Sequence, residues 1–142
     1  MKTFLDTNIL AYAVDPRDQT KRDRAKQCMI DVEARSAVVI STQVMLELHS
    51  VLTSKLRMAS AQSRGLVQAA SMRYEVVTLT SELIMRGLDV QIIHRLSHWD
   101  ACIIVAAAAA GCREIMTEDL QDGALIEGVR VRNPFIGPKS AS

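Results

Sequence analysis

The sequence predicts an α/β fold, with a central parallel sheet and helices on both of its faces. Short β-prone stretches alternate with longer segments of helical periodicity from one end of the chain to the other. One of the helical segments, Ala101 to Ala110, is too rich in alanine for a strand, because alanine is the best helix former and fits poorly on a pleated surface. No internal repeat or linker breaks the alternation, so residues 1–142 are expected to form a single domain.

The first strand is read at Lys2 to Leu5, and it delivers Asp6-Thr7-Asn8 at its C-terminal end. Those three residues suit a strand-to-helix turn, but the ends of strands are also where open α/β sheets bind ligands. Asp15 to Asp18 is a loop, since Pro16 disfavours helix at the residue before it. A helix follows from Gln19 to about Ala34, carrying Lys21, Arg22, Arg24 and Lys26, which form either a solvated face or an RNA contact. Ala37 to Ile40 is a buried strand, and Ser41 or Thr42 caps a helix running to about Arg57. On that helix Val44, Met45, Leu48, Val51, Leu52 and Leu56 share one arc. Glu47 lies at its border, with Gln43 and Ser50 outside, so Glu47 either reaches solvent or lines a cleft. Helix Ala59 to Met72, strand Val76 to Leu79 and a helix from Thr80 to about Leu96 come next, the last bearing Arg86 and Arg95.

The stretch from Ser97 to Gly123 organises the rest. Asp100 opens the apolar helix, which is expected to be buried on most faces, and Gly111 is placed to cap its end in a left-handed conformation. Ser97-x-x-Asp100 also matches a capping box, and aspartate is itself a favoured N-cap, so a structural role competes with a functional one at Asp100. A strand at Arg113 to Met116 then delivers Thr117-Glu118-Asp119. A turn at Leu120 to Gly123, a connection from Ala124 to Gly128 and a strand at Val129 to Val131 complete the pattern. The tail from Pro134 to Ser142 is expected to fray.

Composition narrows the function. Seventeen Lys and Arg against sixteen Asp and Glu leave a net charge of +1, so no global field attracts nucleic acid. The longest apolar run is far short of the roughly 20 residues that span a bilayer. No signal peptide is visible, and the expected location is cytoplasmic, away from membranes. Cys28, Cys102 and Cys112 offer neither a disulfide framework nor a zinc pattern. What stands out is the set of acids at element ends: Asp6, Glu47, Asp100 and Asp119. Brought together, they would repel unless a divalent cation sat among them, and hard oxygen ligands suit Mg²⁺ or Mn²⁺. That chemistry serves nucleases and phosphatases.

FLDTNIL, TQVMLEL, SHWDACIIVAAAAAGC and MTEDLQDG, in this order and spacing, resemble the PIN-domain ribonucleases. The last stretch, continuing to GVRVRNPF, resembles in particular the VapC-type toxins of bacterial toxin–antitoxin pairs. The resemblance covers Met1 to Phe135 and implies a three-layer fold with sheet order 3-2-1-4-5. It also implies Mg²⁺- or Mn²⁺-dependent hydrolysis of RNA phosphodiesters, a small antitoxin partner and a homodimer. It places Asp6, Glu47, Asp100 and Asp119 on the family's metal-binding catalytic acids, with Thr7, Asn8 and Thr117 in support. Asp122 is a possible extra acid, although a turn role before Gly123 competes. Asn8 argues against an aspartyl phosphatase, which wants an acid there, and Tyr74 to Leu79 lacks the aspartate of a receiver domain. The alternative from another class is a PIN-like fold kept as a non-catalytic binding or scaffolding module.

Overall fold

The computed structural model describes residues 1–136. Its sheet is organised around β1 (Lys2–Leu5), which pairs in parallel with β2 (Ala37–Ser41) on one side and β4 (Glu114–Met116) on the other. β3 (Glu75–Val77) extends the sheet beyond β2. β6 (Val129–Arg132) pairs in parallel with β4, and β5 (Leu125–Ile126) pairs antiparallel with β6 at the edge. The order is therefore 3-2-1-4-6-5. The expected order 3-2-1-4-5 holds through β4, with an added hairpin strand taking the last place. The second strand of that hairpin was expected at Val129 to Val131, but β5 and the turn fall in what was expected to be a plain connection from Ala124 to Gly128. Glu127 and Gly128 both take positive φ (50° and 80°), the requirement of a two-residue turn that matches the twist of its strands.

Helices α1 (Thr7–Tyr12), α2 (Gln19–Arg35), α3 (Thr42–Ser54), α4 (Ser60–Arg73), α5 (Ser81–His94) and α6 (His98–Ala109) flank the sheet. The core gathers Phe4, Leu5, Ile40, Ile104 and Ile115, all fully buried. Burial of each such side chain stabilises by about 1.5–3 kcal/mol. From Ala101 to Ala107 every residue of α6 is buried, as its apolar run predicts. Its end forms a Schellman motif. Gly111 (φ 80°) donates its N–H to Ala108 O and Cys112 donates to Ala107 O. On its outer side α6 meets α5 so closely that a Cβ at Gly87 would lie 2.7 Å from Cys102 Sγ. All three cysteines are free and buried.

Several boundaries differ from expectation for visible reasons. β3 stops before Leu79, whose N–H donates to the Thr42 hydroxyl at 3.0 Å instead of to a ladder partner. α3 ends early because Leu56 and Met58 turn back to Val51 O and Leu52 O, with Arg57 at φ 54°. Arg95 is not on α5 but caps it in the left-handed conformation. The fraying expected from Pro134 falls partly on residues 137–142, outside the described region. Phe135 itself is held: its ring meets Tyr12 edge-on at 5.0 Å, and its carbonyl accepts from Arg24 at 2.7 Å.

Candidate metal centre

Parallel pairing puts Leu5 opposite Met116, so β1 and β4 end side by side at the point where the strand order reverses. The residues that follow each strand therefore meet. Asp6 donates its N–H to Met116 O, and the Thr117 hydroxyl donates to Asp6 Oδ2 at 2.8 Å. Thr7 N–H donates to the other oxygen, Oδ1, at 2.7 Å. Thr117 Oγ1 in turn accepts from Asp119 N–H at 3.1 Å, and Asn8 donates its amide to Asp119 Oδ2. One hydroxyl thus fixes both aspartates.

A third carboxylate comes from α6. Of the two readings, Asp100 as the first residue of this helix or Ser97-x-x-Asp100 as a capping box, the structure shows the second's N-cap: Ser97 accepts from Asp100 N–H at 3.1 Å. Asp100 sits one turn inside, leaving its carboxylate facing the cleft. Asp6, Asp100 and Asp119 each offer an oxygen within 4.8 Å of the others. They line a cleft of about 780 Å³ with Glu47, Tyr12 and Trp99 among its walls. Desolvation is the main cause of the raised pKa at all three acids. Asp6, the most deeply buried, is pushed up to about 7 in spite of its two hydrogen bonds. Neighbouring carboxylates add to the rise: Asp119 and Glu47 act on Asp6 and Asp100, and Glu118 acts on Asp119. No lysine or arginine among the described residues pairs with any of the three, whose partners are Thr7, Thr117, Asn8 and Ser97.

A family profile of the PIN domain matches residues 3–121. The chain is a PIN-domain protein. No curated protein sequence matches it. Among solved structures, this PIN domain is similar to VapBC2 from Rickettsia felis bound to a promoter DNA fragment, at 18% identity and TM-score 0.67, covering 94% of this chain and 98% of that one. A toxin–antitoxin complex from Klebsiella pneumoniae shares 22% identity at TM-score 0.66, over 89% of this chain and 94% of that one. VapC20 from Mycobacterium tuberculosis, a toxin that cleaves the sarcin–ricin loop, shares 18% identity at TM-score 0.63, over 80% of this chain and 86% of that one.

Within the PIN domain the remaining sequence candidates separate. Glu47 lines the cleft but stands outside the trio, accepting from the Thr7 hydroxyl at 3.3 Å and from Gln43 Nε2 at 2.9 Å. Asp122 is elsewhere, accepting from Asn133 N–H. Glu118 turns to the Tyr12 hydroxyl and Lys21. In the basic helix, Lys21 is engaged there and Arg24 holds Phe135, so two of the four cations are committed within the fold. The cleft's own cations are Arg17 and Lys55, which the sequence reading passed over. It also set Gln43 outside the packed arc, whereas Gln43 is buried and donates to both Glu47 and Trp99 O. The signal was present in the helical spacing, since Gln43 stands one turn before Glu47.

Proposed function

We propose that this PIN domain is a divalent-metal-dependent ribonuclease, the toxin of a toxin–antitoxin pair acting in the cytoplasm. The carrying observation is the convergence of Asp6, Asp100 and Asp119, of which Asp6 is buried, Asp100 half-buried and Asp119 exposed, with no lysine or arginine in a direct ion pair with any of them among the described residues. Such a set fits Mg²⁺ or Mn²⁺: every donor is a hard oxygen, and Asn8 Oδ1 is a buried acceptor with no hydrogen-bond partner. When bound, the cation would polarise a phosphoryl oxygen and lower the pKa of water.

The chain's own residues do the rest. Thr117 and Thr7 hold Asp6 in one orientation, and Asn8 and Thr117 do so for Asp119. Glu47, anchored by Gln43 and Thr7, is the carboxylate left to accept a hydrogen bond from an attacking water. Lys55 on the cleft wall offsets the charge of incoming phosphates, whereas Arg17 is held bidentate by the buried Asp15. The similar structures that are toxin–antitoxin assemblies support a small antitoxin partner, and a basic side chain from it would find acids with no ion-pair partner. The working unit is proposed as a homodimer.

The test is incubation of the full chain with transfer and ribosomal RNA, with Mn²⁺, with Mg²⁺ and with chelator. Cleavage in the presence of metal that stops with chelator and in Asp6→Asn is expected. Intact RNA under every metal condition would leave only a non-catalytic binding module.

A further inference from the structure

Trp99 is the sole tryptophan of the chain and stands 60% exposed on the wall of the acidic cleft, directly before Asp100. Phe4 is fully buried and Tyr74 nearly so, while Tyr12 and Phe135 are half-buried and pack edge-on against each other. An indole so exposed on the wall of a cleft lined by carboxylates adds little to the core of the fold. Yet the backbone beneath it is held firmly. Gln43 Nε2 donates to Trp99 O at 3.0 Å, and Ser97 caps the next residue. The same Gln43 amide donates to Glu47, so the root of the indole and a cleft carboxylate share one anchor. The amide is assigned by its surroundings, because the reverse orientation would set its oxygen against both the Glu47 carboxylate and the Trp99 carbonyl. On its other flank the indole packs against the His98 ring at 4.6 Å, tilted by 46°.

A rigidly rooted, solvent-facing aromatic one residue from a phosphate-handling acid matches how proteins hold unpaired nucleotides. Each base has a π-face, and stacking on an aromatic ring accepts any of them. A base inside a duplex has both faces occupied by its neighbours and cannot take up the indole. We propose that Trp99 is the stacking platform for an unpaired base next to the scissile phosphate. The proposal rests on the ribonuclease reading for the word scissile, but the stacking itself is measurable without any cleavage.

Because no other tryptophan is present, the emission of the full chain reports on Trp99 alone. The titration is run in chelator with three probes: a short unpaired RNA, the same sugar–phosphate chain lacking bases, and a blunt RNA duplex. The expected result is saturable quenching by the unpaired RNA and little by the other two. Trp99→Ala should bind unpaired RNA roughly 5- to 150-fold more weakly, and Trp99→Phe should recover most of the loss. With metal restored, the same loss should fall on KM more than on kcat. Emission unchanged at saturating RNA, equal quenching by the base-free chain, or absence of binding overturns the proposal. So does a Trp99→Ala protein that binds RNA as wild type but sediments as a smaller species, which would assign the indole to a contact between protein chains. Quenching without cleavage under any metal would sink the ribonuclease reading and leave the stacking intact. Cleavage unaltered by Trp99→Ala would do the reverse.

Discussion

The strand-borne wall of the acidic cleft and its helix-borne wall are built on different physics. Asp6 hangs from the end of a central strand, 4% exposed, with both oxygens bonded to neighbours fixed by sheet register. Asp100 and Glu47 project from helices, half-buried, and their settings depend on side chains, Ser97 for one and Gln43 with Thr7 for the other. Asp6 is therefore placed accurately but carries a large desolvation penalty. The helix side is less strained and more adjustable. The proposed function, an ion held firmly in a site that also admits a bulky substrate, is served by one wall of each kind.

The largest break in this comparison comes at Asp6. Asp6→Asn keeps the shape and the Thr7 contact while removing the charge, so RNA cleavage should drop by roughly a thousandfold or more. Asp6→Ala is the poorer test, because it orphans the buried Thr117 hydroxyl as well. A variant that cuts at wild-type rates ends the assignment.

Next in size is the pH dependence of stability in chelator. The Asp6 pKa is raised from 3.8 to about 7, so between those values the native state binds more protons than the unfolded chain. Stability must then fall as pH rises through that window, by on the order of 4 kcal/mol if Asp6 acts alone. Denaturant titrations across the window check the sign. Asp6→Asn should flatten the slope, and a stability that rises with pH would contradict the buried-acid picture.

On the helix side, Asp100→Asn leaves the Ser97 cap in place, because that bond uses the backbone N–H. Without metal the variant should match or exceed wild type, since one charge has left the cluster. Wild type should gain roughly 2.7 kcal/mol from Mn²⁺ at a hundredfold excess over its dissociation constant. The variant should gain much less. Equal melting shifts for the two proteins would remove Asp100 from the metal site.

The smallest effect belongs to Gln43→Ala, at about 1 kcal/mol of stability, since the Glu47 carboxylate it frees can be reached by water. Its sharper signature is functional: cleavage should weaken while Mn²⁺ binding stays unchanged, because Glu47 stands outside the trio. A fall in Mn²⁺ affinity equal to that of Asp100→Asn would place Glu47 among the ligands.

The strand side was legible in the sequence because a carboxylate straight after a β-prone stretch is positioned by the strand itself. Asp6 and Asp119 need only the pairing of β1 with β4 to meet. α6 was equally plain, its alanine run naming both its type and its burial. The helix side was harder. A border position such as Glu47 is settled by a tertiary contact with Thr7, 40 positions away, which adds to the bond from Gln43 one turn before it on α3. Which residue caps α6 depends on a single backbone dihedral change at Ser97, and a sequence rich in capping residues there admits more than one answer. Of the edge hairpin, β6 was expected but β5 and the turn were not, because a Glu-Gly pair adopting positive φ is a weak turn signal beside Asn-Gly or Asp-Gly.

The three buried cysteines have a practical meaning. Burial pushes the Cys28 and Cys112 thiols up to about 11 and 12 and raises Cys102 as well, so thiolate is scarce at neutral pH. To an alkylating reagent the native chain is close to silent. A single new cysteine at an exposed position such as Ile92 would be the chemically distinct thiol of the molecule. A fluorophore or spin label placed there by Ile92→Cys needs no prior removal of native cysteines, each of which fills core space that serine would fill with an unsatisfied hydroxyl.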